Sequence, residues 1–90
     1  MDDIDAVREL ALAEAAGVPF SWMRRPFNDV NTPCIYETAD GWRVSTTNER
    51  STEESVDDYS DRSAAVDDFV SRVKGFVRYQ ELRKRLRGQR

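Results

Sequence analysis

Between residues 66 and 77 apolar side chains return at the spacing of one helical face: Val66, Phe69, Val70, Val73, Phe76 and Val77. That i, i+3, i+4, i+7 recurrence predicts an amphipathic helix, and a stripe this bulky must be buried against something. The rest of the chain therefore has to supply a surface for it. The helix is expected to begin at about Asp61, with Ser60 as cap and Asp61 in the first turn, where the helix dipole favours negative charge. Leu82 and Leu86 extend the stripe imperfectly, and lysine and arginine crowd the last turns, where the dipole favours cations. Gly75 inside the stripe costs about 1 kcal/mol relative to alanine, which predicts close packing there or a weak point in the helix.

The expected surface is a small sheet. Residues 34–38 and 42–47 are rich in β-branched and aromatic side chains, and the Asp40-Gly41 pair between them signals a tight hairpin. Alternation puts Trp42, Val44 and Thr46 on one face and Arg43, Ser45 and Thr47 on the other, with the tryptophan face toward the core. Residues 48–51 read as a second turn, and residues 52–58 as a third strand with Val56 inward. At the other end, Asp2 or Asp3 caps a helix in which Ile4, Val7, Leu10 and Ala11 share a face, and Gly17 and Pro19 stop it. Residues 18–33 hold Pro19, Pro26 and Pro33 and read as a long irregular connection, in which Phe20 and Trp22 alternate as in a short strand. Together these elements predict an α+β fold: an N-terminal helix, a small antiparallel meander of two to three strands, and a long C-terminal helix packed on the sheet. Trp42, Val44, Phe69, Val73 and Val77 should be buried together.

A chain of 90 residues has room for one core, so residues 1–90 are expected to form a single domain, with 82–90 as a basic tail that frays. Two Trp, four Phe and three Tyr are too many large apolar groups for a disordered chain. No apolar run approaches the roughly 18 residues of a membrane span, and the acidic start at Asp2 and Asp3 is unlike the basic start of a secretion signal, so a cytoplasmic location is expected. There is no histidine and a single cysteine, Cys34, which removes internal disulfides, the usual zinc ligands and the commonest general base. Cys34 itself, in a predicted strand, reads as a small buried apolar residue. The neighbouring carboxylates Glu53-Glu54, Asp57-Asp58 and Asp67-Asp68 diverge in a strand or a helix, so they read as solvated surface and not as acid–base pairs. No catalytic residue, metal site or cofactor is expected.

Charge is sorted along the chain. Residues 1–71 carry six basic against sixteen acidic side chains, whereas residues 72–90 carry eight basic against Glu81 alone. The formal charge of −3 thus hides a strong dipole. Clustered charge of one sign steers encounter with a partner of the other. The acids Glu53, Glu54, Asp57, Asp58 and Asp61 are the expected partner-binding surface, since their segment is too polar for the core and would repel nucleic acid. The basic end invites a nucleic-acid reading, but an isoelectric point near 4.9 opposes it. Trp22, Met23 and Phe27 in the long connection read either as an exposed hot spot or as a lid on one end of the core.

The run Trp42-Arg43-Val44-Ser45-Thr46-Thr47-Asn48-Glu49-Arg50, the acidic strand to Tyr59, and Asp61-Arg62-Ser63-Ala64-Ala65-Val66-Asp67-Asp68-Phe69-Val70 form a pattern. It resembles small immunity proteins of bacterial polymorphic toxin systems of the contact-dependent inhibition type, in which a tryptophan strand runs to a Glu-Arg turn, a strand and a helix. Ser51 stands where a glycine commonly follows that turn. The resemblance covers roughly residues 35–75 and implies a small cytoplasmic protein that binds and neutralises a cognate protein toxin, blocking a basic active-site cleft with its acids. The alternatives are a protein-interaction adaptor module, or a nucleic-acid binder using the basic C-terminal helix.

Overall fold

The computed structural model of the chain describes residues 2–88, in which a helix, four strands and a second helix follow one another. The α+β architecture expected from the sequence is present, with one more strand and one parallel pairing. Helix α1 (Asp3–Ala15) is capped by Asp2, whose carboxylate accepts the Asp5 amide at 2.9 Å, and the chain turns off through Gly17 at φ +78°. Its buried face is Ala6, Leu10 and Ala13; the expected stripe is wrong, because Ile4 and Val7 point to solvent at 72% and 55% exposure. The reason is close approach to the C-terminal helix α2 (Arg62–Arg87). The two run parallel, with Arg62 on Asp3 at 2.7 Å near their starts and Gly17 beside Gln80 near the end of α1. Small side chains at the contact let the helices close up, which larger ones would prevent.

The sheet has the order β1 (Ser21–Trp22), β2 (Pro33–Thr38), β3 (Gly41–Thr47), β4 (Glu53–Tyr59). Strand β1 comes from the long connection, and it pairs parallel to β2, so the sheet is mixed and not a pure antiparallel meander. The hairpin loop is Ala39-Asp40, and neither residue takes a positive φ. Gly41 opens β3 instead of sitting at the tip, and it must be glycine for another reason. At φ +150° its missing Cβ would collide with the carbonyl oxygen of Tyr59. Ser51 takes φ +62°, the left-handed conformation that glycine adopts most cheaply.

The face of Trp42, Val44 and Thr46 meets α2 as expected. Ile35 pairs with Val44 in register, and both are fully buried with Val66, Phe69, Val70 and Val73. Phe69 lies at the centre, with Phe20 edge-on at 6.4 Å and Trp22 tilted at 5.6 Å. Trp42 and Val77 are half-buried at the margin of this core.

Strand β4 departs from simple alternation. Val44 pairs with Asp57 and Thr46 with Glu54, so Ser55 and Val56 together oppose Ser45 in a β-bulge, with Ser55 at φ +50°. The extra residue inverts the faces beyond it. Val56, expected inward, turns to the outer face and is 43% exposed, while Asp57 and Tyr59 turn toward α2.

Helix α2 is capped by Asp61 and not by Ser60: the Asp61 carboxylate accepts the Ser63 amide at 3.1 Å. Burial ends at Val73, with Phe76 and Val77 half-buried, yet the helix continues to Arg87. Gln80 still lies beside Gly17, so the part of the helix beyond it, residues 81–87, extends about 10 Å further at the helical rise of about 1.5 Å per residue. Of the tail expected to fray, 82–87 is helical, and 89–90 lie outside the described residues.

Candidate functional site

Strand β4 is the edge of the sheet, and four of the five acids expected to bind a partner stand on it, with Asp61 just beyond its end. The bulge divides them between the two faces. Glu53 and Asp58 share the outer face, while Glu54 and Asp57 share the face of α2. They line one rim and not one plane.

Each has an internal partner. The Oε1 of Glu53 accepts from the hydroxyls of Tyr36 and Ser45, both at 2.7 Å, and Ser45 is completely buried. Glu54 accepts from the Asn48 side-chain amide at 2.9 Å. Asp58 takes a two-point contact from Arg43, at 2.7 and 3.1 Å, which holds its carboxyl below the usual range. Asp57 accepts from Arg72 at 2.8 Å, and Asp61 serves as helix cap. Asp57 and Asp58 are thus largely neutralised locally, although both side chains stay 60% exposed. Glu53, Glu54 and Asp61 have no cation within ion-pair distance among the described residues.

The acids also protect the strand. An edge presents unpaired backbone groups that invite pairing with another chain, and charge together with a bulge discourages it. Carboxylates on both sides of β4 and the kink at Ser55 do both.

Arg72 is the residue that the sequence misplaces. As the first cation of the basic end it looks like part of the tail, yet its side chain is only 15% exposed. Its guanidinium donates to Asp68 on the preceding turn at 3.0 Å, to Thr46 on β3 at 3.1 Å and to Asp57 on β4. It clamps the helix to two strands. Tyr59 adds a third tie from the sheet, donating to Asp68 at 2.7 Å; that bond to the carboxylate, with burial second, pushes the phenol up to about 12. The signal available in sequence was an i, i+4 Asp68–Arg72 pair within the apolar stripe.

On the outer face, residues 23–32 return the chain from β1 to β2. Arg25 lies over the Tyr36 ring at 4.9 Å, and three bonds join Thr32 to Thr47: the Thr32 amide donates to the Thr47 hydroxyl at 2.9 Å, and the Thr32 carbonyl accepts from the Thr47 amide at 2.9 Å and its hydroxyl at 3.3 Å. Cys34 beneath them is buried, and burial first, then the charges of Asp29 and Glu53, push its thiol up to about 11. A thiol held neutral in this way is a packing group and not a nucleophile. Trp22 and Met23 pack on the core, whereas Phe27 is 80% exposed. The lid reading therefore holds for two of the three.

The basic end keeps Arg78, Arg83, Lys84, Arg85 and Arg87 on the C-terminal half of α2, with Arg83 over the Tyr79 ring at 5.9 Å. Among the described residues, no group of three or more Cys, Asp or Glu side chains is placed to hold a metal ion, and no helix is long and apolar enough to cross a membrane. Comparison with family models, curated proteins and solved structures gives no match.

Proposed function

We propose that this protein is an immunity protein that acts in the cytoplasm by binding a cognate bacterial toxin and covering its basic active-site cleft with the acidic rim of Glu53, Glu54, Asp57, Asp58 and Asp61. The observation that carries this reading is the rim itself: five exposed or half-exposed carboxylates along one sheet edge, each already held by an internal donor. Side chains fixed before docking lose less rotamer freedom on binding, so a rim of this kind is well suited to tight association. The three acids without a cation partner supply the steering charge, and Asp57 and Asp58 supply oriented acceptors. The resemblance over residues 35–75 supports the same reading.

The test is to retain the partner of the full chain on an affinity column, identify it, and express it in a bacterial host. A host carrying the captured protein alone should stop growing, and co-expression of this chain should restore growth. A captured protein that is harmless to the host would overturn the immunity reading. Growth restored equally by a chain with all five carboxylates replaced by their amides would overturn the assignment of the rim.

A further inference from the structure

The C-terminal half of α2 presents a second surface of opposite sign. Tyr79, Leu82 and Leu86 are 61%, 51% and 61% exposed. With Gly75 they are separated by four, three and four residues, the spacing of a coiled-coil seam. At about 100° per residue the centre of this seam lies roughly 130°, a little over a third of a turn, from the Phe69–Val73 face, on the side of β4, where Arg72 reaches Asp57.

Gly75 is informative because the fold gives no reason for it. A Cβ there would meet nothing within 4 Å, so neither close packing nor a turn requires glycine. What the missing side chain leaves is a shallow dent of about 300 Å³ bounded by Thr46, Arg72, Phe76 and Tyr79. In a seam, such a dent is a hole for a large knob from a facing helix.

The flanks specify that helix. Arg78 and Arg85 border the seam on one side and Arg83 on the other, and Arg78 and Arg85 have no ion-pair partner among the described residues. Two copies meeting seam to seam would set arginine against arginine. Helix α1 of a second copy is acidic and exposes Ile4, Val7 and Leu12, but Arg8 stands one turn from both Ile4 and Leu12 and would meet the arginines of the seam. A nucleic-acid duplex would place phosphates against Tyr79 and the leucines, with Glu54 and Asp57 of β4 on the same side.

We infer that the Gly75-Tyr79-Leu82-Leu86 seam of α2 is a docking surface for an amphipathic helix of a second protein that carries a large apolar side chain for the Gly75 dent and carboxylates beside its own apolar seam.

The probe is a labelled synthetic helix of about three heptads with leucine at a and d and glutamate at e and g, titrated with the full chain and read by fluorescence anisotropy. It should bind saturably at one per chain, at least about tenfold more tightly than the same peptide with lysine at e and g, as opposite charge at the flanks requires. Leu82→Ala with Leu86→Ala should weaken binding by about tenfold or more without lowering the melting temperature, since neither side chain packs in the chain itself. Gly75→Leu should fill the dent, weaken binding and raise the melting temperature, a combination that a merely structural glycine would not give. Binding unchanged by these substitutions would overturn the inference. So would tighter binding of a DNA duplex or of vesicles containing anionic lipid at the same salt, or concentration-dependent self-association of the free chain that the alanine pair abolishes.

Discussion

Phe69 shows how much of a small fold rests on one side chain. It is fully buried, touched by Phe20 and Trp22 from the connection and backed by Val44 and Ile35 of the sheet, so it joins three layers of chain. Phe69→Ala should cost about 3–5 kcal/mol, comparable with the whole stability of a domain this size, and leave the chain largely unfolded in a thermal or urea melt. A variant melting within a few degrees of wild type would contradict the burial. Tyr59 carries a second residue-scale expectation. Its neutral phenol is the form bound by Asp68, and its folded pKa, about 12, lies above the ordinary 10.0. The bond therefore contributes fully below pH 10 and is lost as pH rises toward 12. In urea melts across that range, wild type should lose more stability than Tyr59→Phe; parallel decline of the two would show that the bond contributes nothing. Asp58 has the opposite sign: its pKa is lowered from 3.8 by Arg43, so its contribution is present above 3.8 and lost on further acidification.

At the scale of elements, the long helix and the central hairpin were legible because each is specified by local pattern. The Val66 to Val77 stripe and the β-branched runs on either side of Ala39-Asp40-Gly41 needed no distant partner to be read. What escaped depended on tertiary partners. The parallel pairing of Ser21–Trp22 with β2 is two residues long and leaves no period to detect. The buried face of α1 is set by how closely α2 approaches, which favours Ala6 and Ala13 over the bulkier Ile4 and Val7. The inversion of β4 hangs on one residue, Ser55 at φ +50°, which also decides which acids face α2 and so divides the expected site. A serine in that conformation is strained relative to glycine, although glycine loses more freedom on folding. Ser55→Gly should leave stability unchanged or raise it by up to about 1 kcal/mol, while Ser55→Val should lower it by about 1–2 kcal/mol. Equal melting temperatures for the glycine and valine variants would show that the bulge is absent in solution. Arg72 is the other element-scale tie. Arg72→Met keeps the stem and removes the bonds to Thr46, Asp57 and Asp68, and should cost about 1–3 kcal/mol. A loss below a few tenths in equilibrium urea unfolding would mean that the clamp is not formed.

Over the whole molecule, the charge sorted along the sequence becomes a charge sorted in space. The structure is about 50 Å in its longest dimension, with β4 and α1 acids on the body and five cations on the C-terminal half of α2. The acidic end is not as negative as its sequence implies, because Arg43 and Arg72 offset Asp58 and Asp57, so steering falls to Glu53, Glu54 and Asp61. Against the captured partner, neutralising these three as Glu53→Gln, Glu54→Gln and Asp61→Asn keeps their shape, the acceptor for Tyr36 and Ser45, and a capping group for α2. That variant should associate about tenfold more slowly at low salt, with the difference shrinking as salt is raised, because exposed charge acts on the rate of encounter and is screened. A chain truncated after Glu81 loses residues 82–88, all exposed, together with the last two, and should melt within a few degrees of wild type, associating at an unchanged rate. If the truncated chain associates slowly while the neutralised one keeps the wild-type rate, the partner is drawn by the cations of α2, and the acidic rim serves only to guard the edge of the sheet.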